Sequence, residues 1–576
     1  MTGLGWLDDK RYRLFHLAVI LSVPLLELAA NPNALINPGA TYSIDAWVYT
    51  GFFLSLPSHL QRFGQTYYST RLSWLLPGFA AHSFLPPLAA NYALHLTTFY
   101  VLLWVTYRFL ARGVDRSTAI LGTLFVAWNP LILTAIGWDY VDGVGIVFLM
   151  ITLFCCERAV QGSRSRWWSA AAGAAATCLV VTNLALLGLL PACAMFVLCR
   201  GGWPSLRAVV ANGVAGVAGV AAMLIIFGAL NRSLGGLWLF LEPQIRFVFT
   251  MYVQPNPWRT ANYNWHRASW LVLPAFSALG SIASLLATPR ERSFSRAIQA
   301  TSLTAIATWV MLDAFTHTAL LQYTYYASYL APLALVALPL QTGKPQEREH
   351  LGAAVSFDLS AYAMLAAAYV AFLWYGSAFW NSLALALNHS RPPNLYSLLA
   401  FTAMTIGCLA LLSLWVVRWP RLRWSLFVAA VAVSCAGPYF RPAAEMPDGR
   451  ARFETVVEAH RFIGKYLDRP AIRFWYRLKP QDAPPLRSIA STYLWGWVLI
   501  NEDLPRLSSD EAATIKPDTR LVFLIAARHE LDEGRAELTR LGWRTSIVAE
   551  HPFGRDRQSL TVVIADLTRP REGSRP

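Results

Sequence analysis

The chain is built largely of apolar runs of roughly twenty residues parted by short polar stretches, and that repetition limits what it can fold into. A hydrocarbon core of about 30 Å is crossed by roughly 20 apolar residues in a helix, and backbone at that depth must satisfy its own hydrogen bonds. Thirteen such spans are predicted, near 14–30, 88–110, 117–136, 143–160, 168–182, 184–199, 209–230, 269–288, 297–314, 322–340, 359–380, 395–417 and 424–438. The first follows a basic start, as a signal peptide would, but the spans after it read it as the first helix of a polytopic protein. The fifth and sixth, divided only by Thr182-Asn183, are short enough to form one broken pair.

Charge divides the chain at about residue 440. The first 440 residues hold only 14 of the 33 acidic residues. The last 136 are densely charged and alternate helical spacing (453–467, 529–541) with strand-like runs at 472–476, 521–527, 544–550 and 560–567. The expected fold class is therefore mainly α: about 13 transmembrane helices over 1–440, followed by a soluble α/β domain over 441–576. The formal net charge of +15 does not point to nucleic acid, because the arginines lie between apolar runs in the positive-inside pattern. Basic clusters follow every even-numbered span, from Arg112 and Arg116 to Arg418, Arg421 and Arg423. This predicts a cytoplasmic amino terminus and an outward C-terminal domain. The seven cysteines all lie in or beside apolar segments, so no disulfide staples that domain.

On the outward side two loops are long, 31–87 and 231–268, and both contain short amphipathic pieces suited to lying along the membrane plane. Acids beside a bilayer are costly unless solvated, paired or used. Asp45, Asp139 and Asp142 are the foremost candidates, with Glu242 and Asp313 behind them. Asp139 and Asp142 stand three apart in GWDYVDG; they could bind a metal with Asp45, orient it, or cap the fourth span through Asp142. An oxygen-only site would suit Mg²⁺ or Mn²⁺ rather than zinc. Outward basic residues run against the orientation rule, and a guanidinium fork matches phosphate oxygens. Arg71 follows Tyr67 and Tyr68, and Arg259 and Arg267 bracket an aromatic stretch containing His266. Binding to anionic headgroups or to the tail is the plainer reading of these arginines. His59, His82 and His317 read as structural, and QYTYYASY at 322–329 could turn tyrosines toward a cavity.

With Asp45 in the first outer loop, GWDYVDG in the second and a soluble outer tail, the chain resembles the GT-C superfamily of membrane glycosyltransferases. The branch it looks nearest to uses polyprenyl-phosphate sugars and includes protein O-mannosyltransferases and lipid A aminoarabinose transferases. The resemblance covers roughly residues 1–340. It implies an inner-membrane enzyme that inverts the anomeric centre, with Asp45 as the catalytic base or beside it and Asp139 and Asp142 as supporting acids. It also implies a polyprenyl-phosphate-linked sugar donor and an envelope glycan, glycolipid or protein acceptor. One departure is plain: many relatives follow the first acid with Glu, whereas Ala46 follows Asp45 here. A transporter or flippase of lipid-linked glycans, and a non-catalytic membrane scaffold, are the competing readings.

Overall fold

A computed structural model describes residues 12–30 and 45–253 with a few breaks, scattered positions and short stretches between 274 and 340, and most of 449–569. The spans expected at 359–380, 395–417 and 424–438, and the loop residues Arg259, His266 and Arg267, lie outside the described residues.

The helices of the membrane part, in order, are α1 (Tyr12–Ala30), α2 (Asp45–Phe63), α3 (Leu72–Phe84), α4 (Pro87–Leu110), α5 (Arg116–Ala127), α6 (Pro130–Ile136), α7 (Asp142–Gln161), α8 (Ser165–Thr182), α9 (Leu190–Arg200), α10 (Leu206–Ser233), α11 (Glu242–Val253), α12 (Phe294–Thr316) and α13 (Ala331–Ala337). Among the described residues three helices are both long and apolar enough to cross a membrane: α4, α7 and α10. Several expectations are corrected. The span at 117–136 is two helices, because Asn129-Pro130 breaks the ladder; the Asn129 side chain caps α6, and Pro130 takes its first turn. The stretch 31–87 is not an open loop, since α2 and α3 occupy most of its described part. The fifth and sixth spans do form a broken pair, joined by a 3₁₀ turn at Leu184–Leu189.

Small residues set the closest helix contact in the membrane part. A Cβ on Gly219 of α10 would run into the Ala170 carbonyl of α8, and one on Gly173 would run into Gly216, so these backbones touch as small-residue membrane interfaces do. The far side of α10 leaves Val210, Val214, Val217 and Ile225 exposed, which suits a face turned to lipid.

The tail is a five-stranded mixed sheet, order β2-β1-β3-β5-β4, made of β1 (Ile472–Tyr476), β2 (Val498–Ile500), β3 (Arg520–Ile525), β4 (Arg544–Phe553) and β5 (Leu560–Thr568). Strand β1 runs parallel to β2 and β3, while β5 pairs antiparallel with β3 and β4. Alternation gives the sheet two apolar faces. Val522, Leu524, Val562 and Ile564 face α14 (Gly449–Gly464) and α15 (Pro484–Thr492). Leu521, Phe523, Val563 and Ala565 face α17 (Arg528–Arg540), which follows the short α16 (Ser509–Ala513).

Helix α2 lies between the two parts. Residues 47 and 51 are one helical repeat apart on one face, Ser55 stands at a kink and His59 lies in the helical segment beyond it, and each of the four meets the tail. Trp47 is buried in the tail's core with Phe453 and Ile489. A Cβ at Gly51 would overlap the Thr492 carbonyl. Ser55, at the kink before Pro57, lies 3.1 Å from His460 Nε2. The ring nitrogen Nε2 of His59 donates to the Thr492 carbonyl at 2.7 Å. The Thr492 hydroxyl gives its proton to the Ile489 carbonyl, so it accepts from His460 Nδ1 at 3.1 Å. His460 Nε2 is then the bare nitrogen that accepts from Ser55. Arg62, farther along, donates to the carbonyls of Leu467 and Arg469.

Burial holds both imidazoles neutral: it lowers His59 to about 4 despite its backbone hydrogen bonds, and it lowers His460, with help from His59 and Arg461. A histidine that binds protons more weakly folded than unfolded loses stability as pH falls below its unfolded value and keeps losing it until the folded value is reached. Between about pH 6.5 and pH 4 the His59 contribution is about 3 kcal/mol. We therefore expect thermal stability to drop over that window, and His59→Gln to flatten the curve, as read by unfolding temperature against pH.

Candidate active site

The first turn of α2, the turn at 64–71 and the start of α7 meet beneath the tail. Tyr68 donates its hydroxyl to Asp45 Oδ1 at 2.8 Å. Burial, with the Asp45 carboxylate beside it, raises the Tyr68 phenol far above its ordinary range, so it stays protonated and keeps donating. Asp45 itself is half-buried.

Arg71 is fully buried at the amino end of α3. Its guanidinium carbon lies 4.5 Å from the Tyr67 ring centre, 5.5 Å from Tyr49 and 5.6 Å from Tyr140, within cation–π range of each. One terminal nitrogen donates to the Tyr67 hydroxyl. Its Nε and its other terminal nitrogen are buried with no acceptor among the described residues, and so is the Tyr49 hydroxyl. By contrast, Glu157 at the far end of α7 takes Arg200 on both oxygens at 3.0–3.3 Å. Leaving a buried cation unpaired costs several kcal/mol, so the two Arg71 nitrogens and the Tyr49 hydroxyl are a local concentration of unfilled hydrogen-bonding capacity.

The two acids of GWDYVDG take separate paths. Asp139 is wholly buried and saturated: Oδ1 accepts from Asn91 and His95 at 2.8 Å each, and Oδ2 from Thr50 at 2.5 Å. Its carbonyl accepts from the Trp74 indole at 3.0 Å. Both ring nitrogens of His95 face acceptors, the second being the Ile136 carbonyl. The carboxylate thus gathers α2 and α4, and the backbone carbonyl of the same residue holds α3. Asp142 opens α7 without capping it; its Oδ1 accepts from Tyr329 at 3.0 Å. Asp45, Asp139 and Asp142 therefore do not converge as a ligand set. Among the described residues no three His, Cys, Asp or Glu side chains group as metal ligands.

Around this centre, Tyr67 packs on Phe247 of α11 at 4.3 Å between ring centres, and Thr70 donates to Gln244 at 3.2 Å. Gln65 is tied to Asn231 at the end of α10. His59 bonds the Thr492 carbonyl of the tail, a contact not foreseen in the sequence, and His82 stacks on Phe53. Of the tyrosine run, Tyr329 reaches Asp142, and Tyr326 interacts electrostatically with Tyr67 and Arg71. Tyr49, Tyr140 and His95 were not singled out in the sequence. Only the aromatic density of 43–78 could have pointed to Tyr49.

A helical part with Asp45 at the start of one helix, packed against a mixed α/β tail, is a fold the chain shares with solved structures. No protein-family profile matches the sequence, and no curated protein does. Among solved structures the chain is similar to ArnT from Cupriavidus metallidurans bound to undecaprenyl phosphate, with TM-score 0.52 and 12% identity over 98% of each chain. It is similar to the apo state of ArnT from that organism, with TM-score 0.51 and 12% identity over 96% of this chain and 97% of that one. The oligosaccharyltransferase AglB from Archaeoglobus fulgidus, in complex with an inhibitory peptide and a dolichol-phosphate, gives TM-score 0.40 at 12% identity over 89% of this chain and 70% of its own. The expected GT-C likeness holds.

The contrast between the acids is measurable. Asp139→Ala strands three buried donors and should destabilise by about 3–5 kcal/mol. Asp45→Ala, at a half-buried position with one phenolic partner, should leave the unfolding temperature within a few degrees of the parent.

Proposed function

We propose that this protein is an inverting glycosyltransferase that moves a sugar from a polyprenyl-phosphate donor to an envelope acceptor at the outer face of the inner membrane. The observation that carries this reading is the gathering of buried donors without an acceptor, Arg71 and the Tyr49 hydroxyl, beside the Asp45 carboxylate. A fold shared with ArnT, whose structure holds undecaprenyl phosphate, supports it.

In this reading the donor phosphate lies against Arg71, Tyr49 and Tyr67, and Arg259, Arg267 and His266 remain proposed donor-binding residues outside the described part of the structure. Asp45, oriented by the Tyr68 hydroxyl, takes the proton of the acceptor hydroxyl. The acceptor oxygen attacks the anomeric carbon from the face opposite the phosphate. The carbon–oxygen bond to phosphate breaks as the new glycosidic bond forms, which inverts the centre. Negative charge growing on the departing phosphate is stabilised by the buried guanidinium, whose strength rises where water is excluded. Asp142 and Tyr329 brace the far wall, and Asp139 is structural. No step runs through a divalent cation, since the three acids do not form a ligand set.

Comparing envelope glycolipids and polymers from cells with and without the gene by mass spectrometry should show one missing sugar, and an unchanged profile would refute the proposal. Asp45→Asn should lower transfer by roughly 10²–10⁴-fold while leaving undecaprenyl phosphate binding intact. Arg71→Ala should weaken that binding by about ten- to a hundredfold, read by native mass spectrometry of the purified protein.

A further inference from the structure

We infer that the C-terminal domain is a working part of the catalytic centre: by gripping α2 at residues 47, 51, 55 and 59 it sets where the Asp45 carboxylate stands, with Gly51, Ser55 and His59 as positioning residues. This rests on the reading of Asp45 as the base.

Asp45 is the first residue of α2 and lies one turn and a half before Gly51, about 9 Å along the axis. Between them Trp47 is anchored in the tail's core, two residues from the carboxylate. At Gly51 the helix backbone rests directly on the Thr492 carbonyl, with no room for a methyl group. That same residue accepts from His59 through its carbonyl and from His460 through its hydroxyl. His460 in turn takes the Ser55 proton and stacks on Tyr493 with 4.4 Å between ring centres. Tyr493 closes the set by donating to the His460 carbonyl at 2.7 Å. The contacts at Gly51, Ser55 and His59 therefore converge on the end of α15 and the His460 position of α14. From the opposite face, Thr50 ties α2 to Asp139 of the membrane part. The helix carrying the base is thus a wedge whose lateral position is set by the tail on one side and by the Asp139 network on the other. Hydrogen bonds confined to one domain would not give the tail this influence.

Displacing a reacting group by about 1 Å costs on the order of 10²-fold in rate, and a methyl group at Gly51 must push α2 away from Thr492 by about that much. The test uses full-length protein and three variants, Gly51→Ala, His59→Ala and the conservative His59→Gln, whose amide can replace the Nε2 donor. Turnover is read as sugar-modified envelope product in cells lacking the chromosomal gene, per membrane-inserted protein. Carrier binding is read with undecaprenyl phosphate alone. Turnover should fall roughly 10²-fold in Gly51→Ala and roughly tenfold in His59→Ala, return to within about twofold of the parent in His59→Gln, and leave carrier affinity within about twofold throughout. If Gly51→Ala does not accumulate, His59→Ala, which removes a hydrogen bond without a clash, decides alone. Parallel loss of turnover and carrier binding, or parental turnover in both alanine variants, would overturn the inference. Asp45→Asn run alongside separates the two readings. Parental turnover there removes the base and this inference with it, whereas an inactive Asp45→Asn beside fully active alanine variants removes only the role of the tail.

Discussion

Everything near the candidate site depends on α2 being covered on opposite faces by different parts of the chain. Ala46, Tyr49, Phe53 and Leu60 pack into the membrane part with Trp74 and Tyr140, while Trp47 packs into the tail with Phe453 and Ile489. A helix with one wet face tolerates drift. One buried on both sides does not, because packed interiors leave no gaps for it to move into. Each contact that fixes it is also a contact that fixes the acid at its start.

Buried charges among the described residues are handled in different ways. Glu157 is answered by Arg200, and Asp139 by His95, Asn91 and Thr50. At Arg71 no carboxylate answers the charge, and tyrosine rings and phenols, Tyr67 and Tyr140 among them, surround the cation instead. Aromatic faces soften the cost of burial but do not fill a guanidinium's hydrogen bonds. Arg71 thus keeps hydrogen-bonding capacity unfilled close to the half-buried Asp45, as Asp142 does on one of its oxygens.

Much of this was legible in the chain and some was not, for physical reasons. Long apolar runs announce membrane helices, so α4, α7 and α10 lie where periodicity puts them. The alternating segments of the tail likewise fall on β1, β3, β4 and β5, while the three-residue β2 is too short to show a period. Local signals also located Asp45, Tyr68 and Arg71, which lie in one stretch of sequence. What was hidden is long-range pairing. Nothing in GWDYVDG says that Asp139 meets Thr50, 89 positions earlier, rather than its neighbour Asp142. The set 47, 51, 55 and 59 reads as an ordinary mixture of Trp, Gly, Ser and His until the partner surface is known. Side-chain identity names the chemistry available, and only topology decides whether an acid is a strut or a reagent.

The sequence distance across the seam has a consequence for how the protein comes into being. Ser55 and His59 bond residues 405 and 433 positions later, so the ribosome finishes α2 long before its second cover exists. Until the tail is made, Trp47, Gly51, Ser55 and His59 have only solvent, lipid or a chaperone to rest on, and a loop that long closes slowly. The packing of α2 is therefore completed last, once the residues 405 and 433 positions downstream have been made.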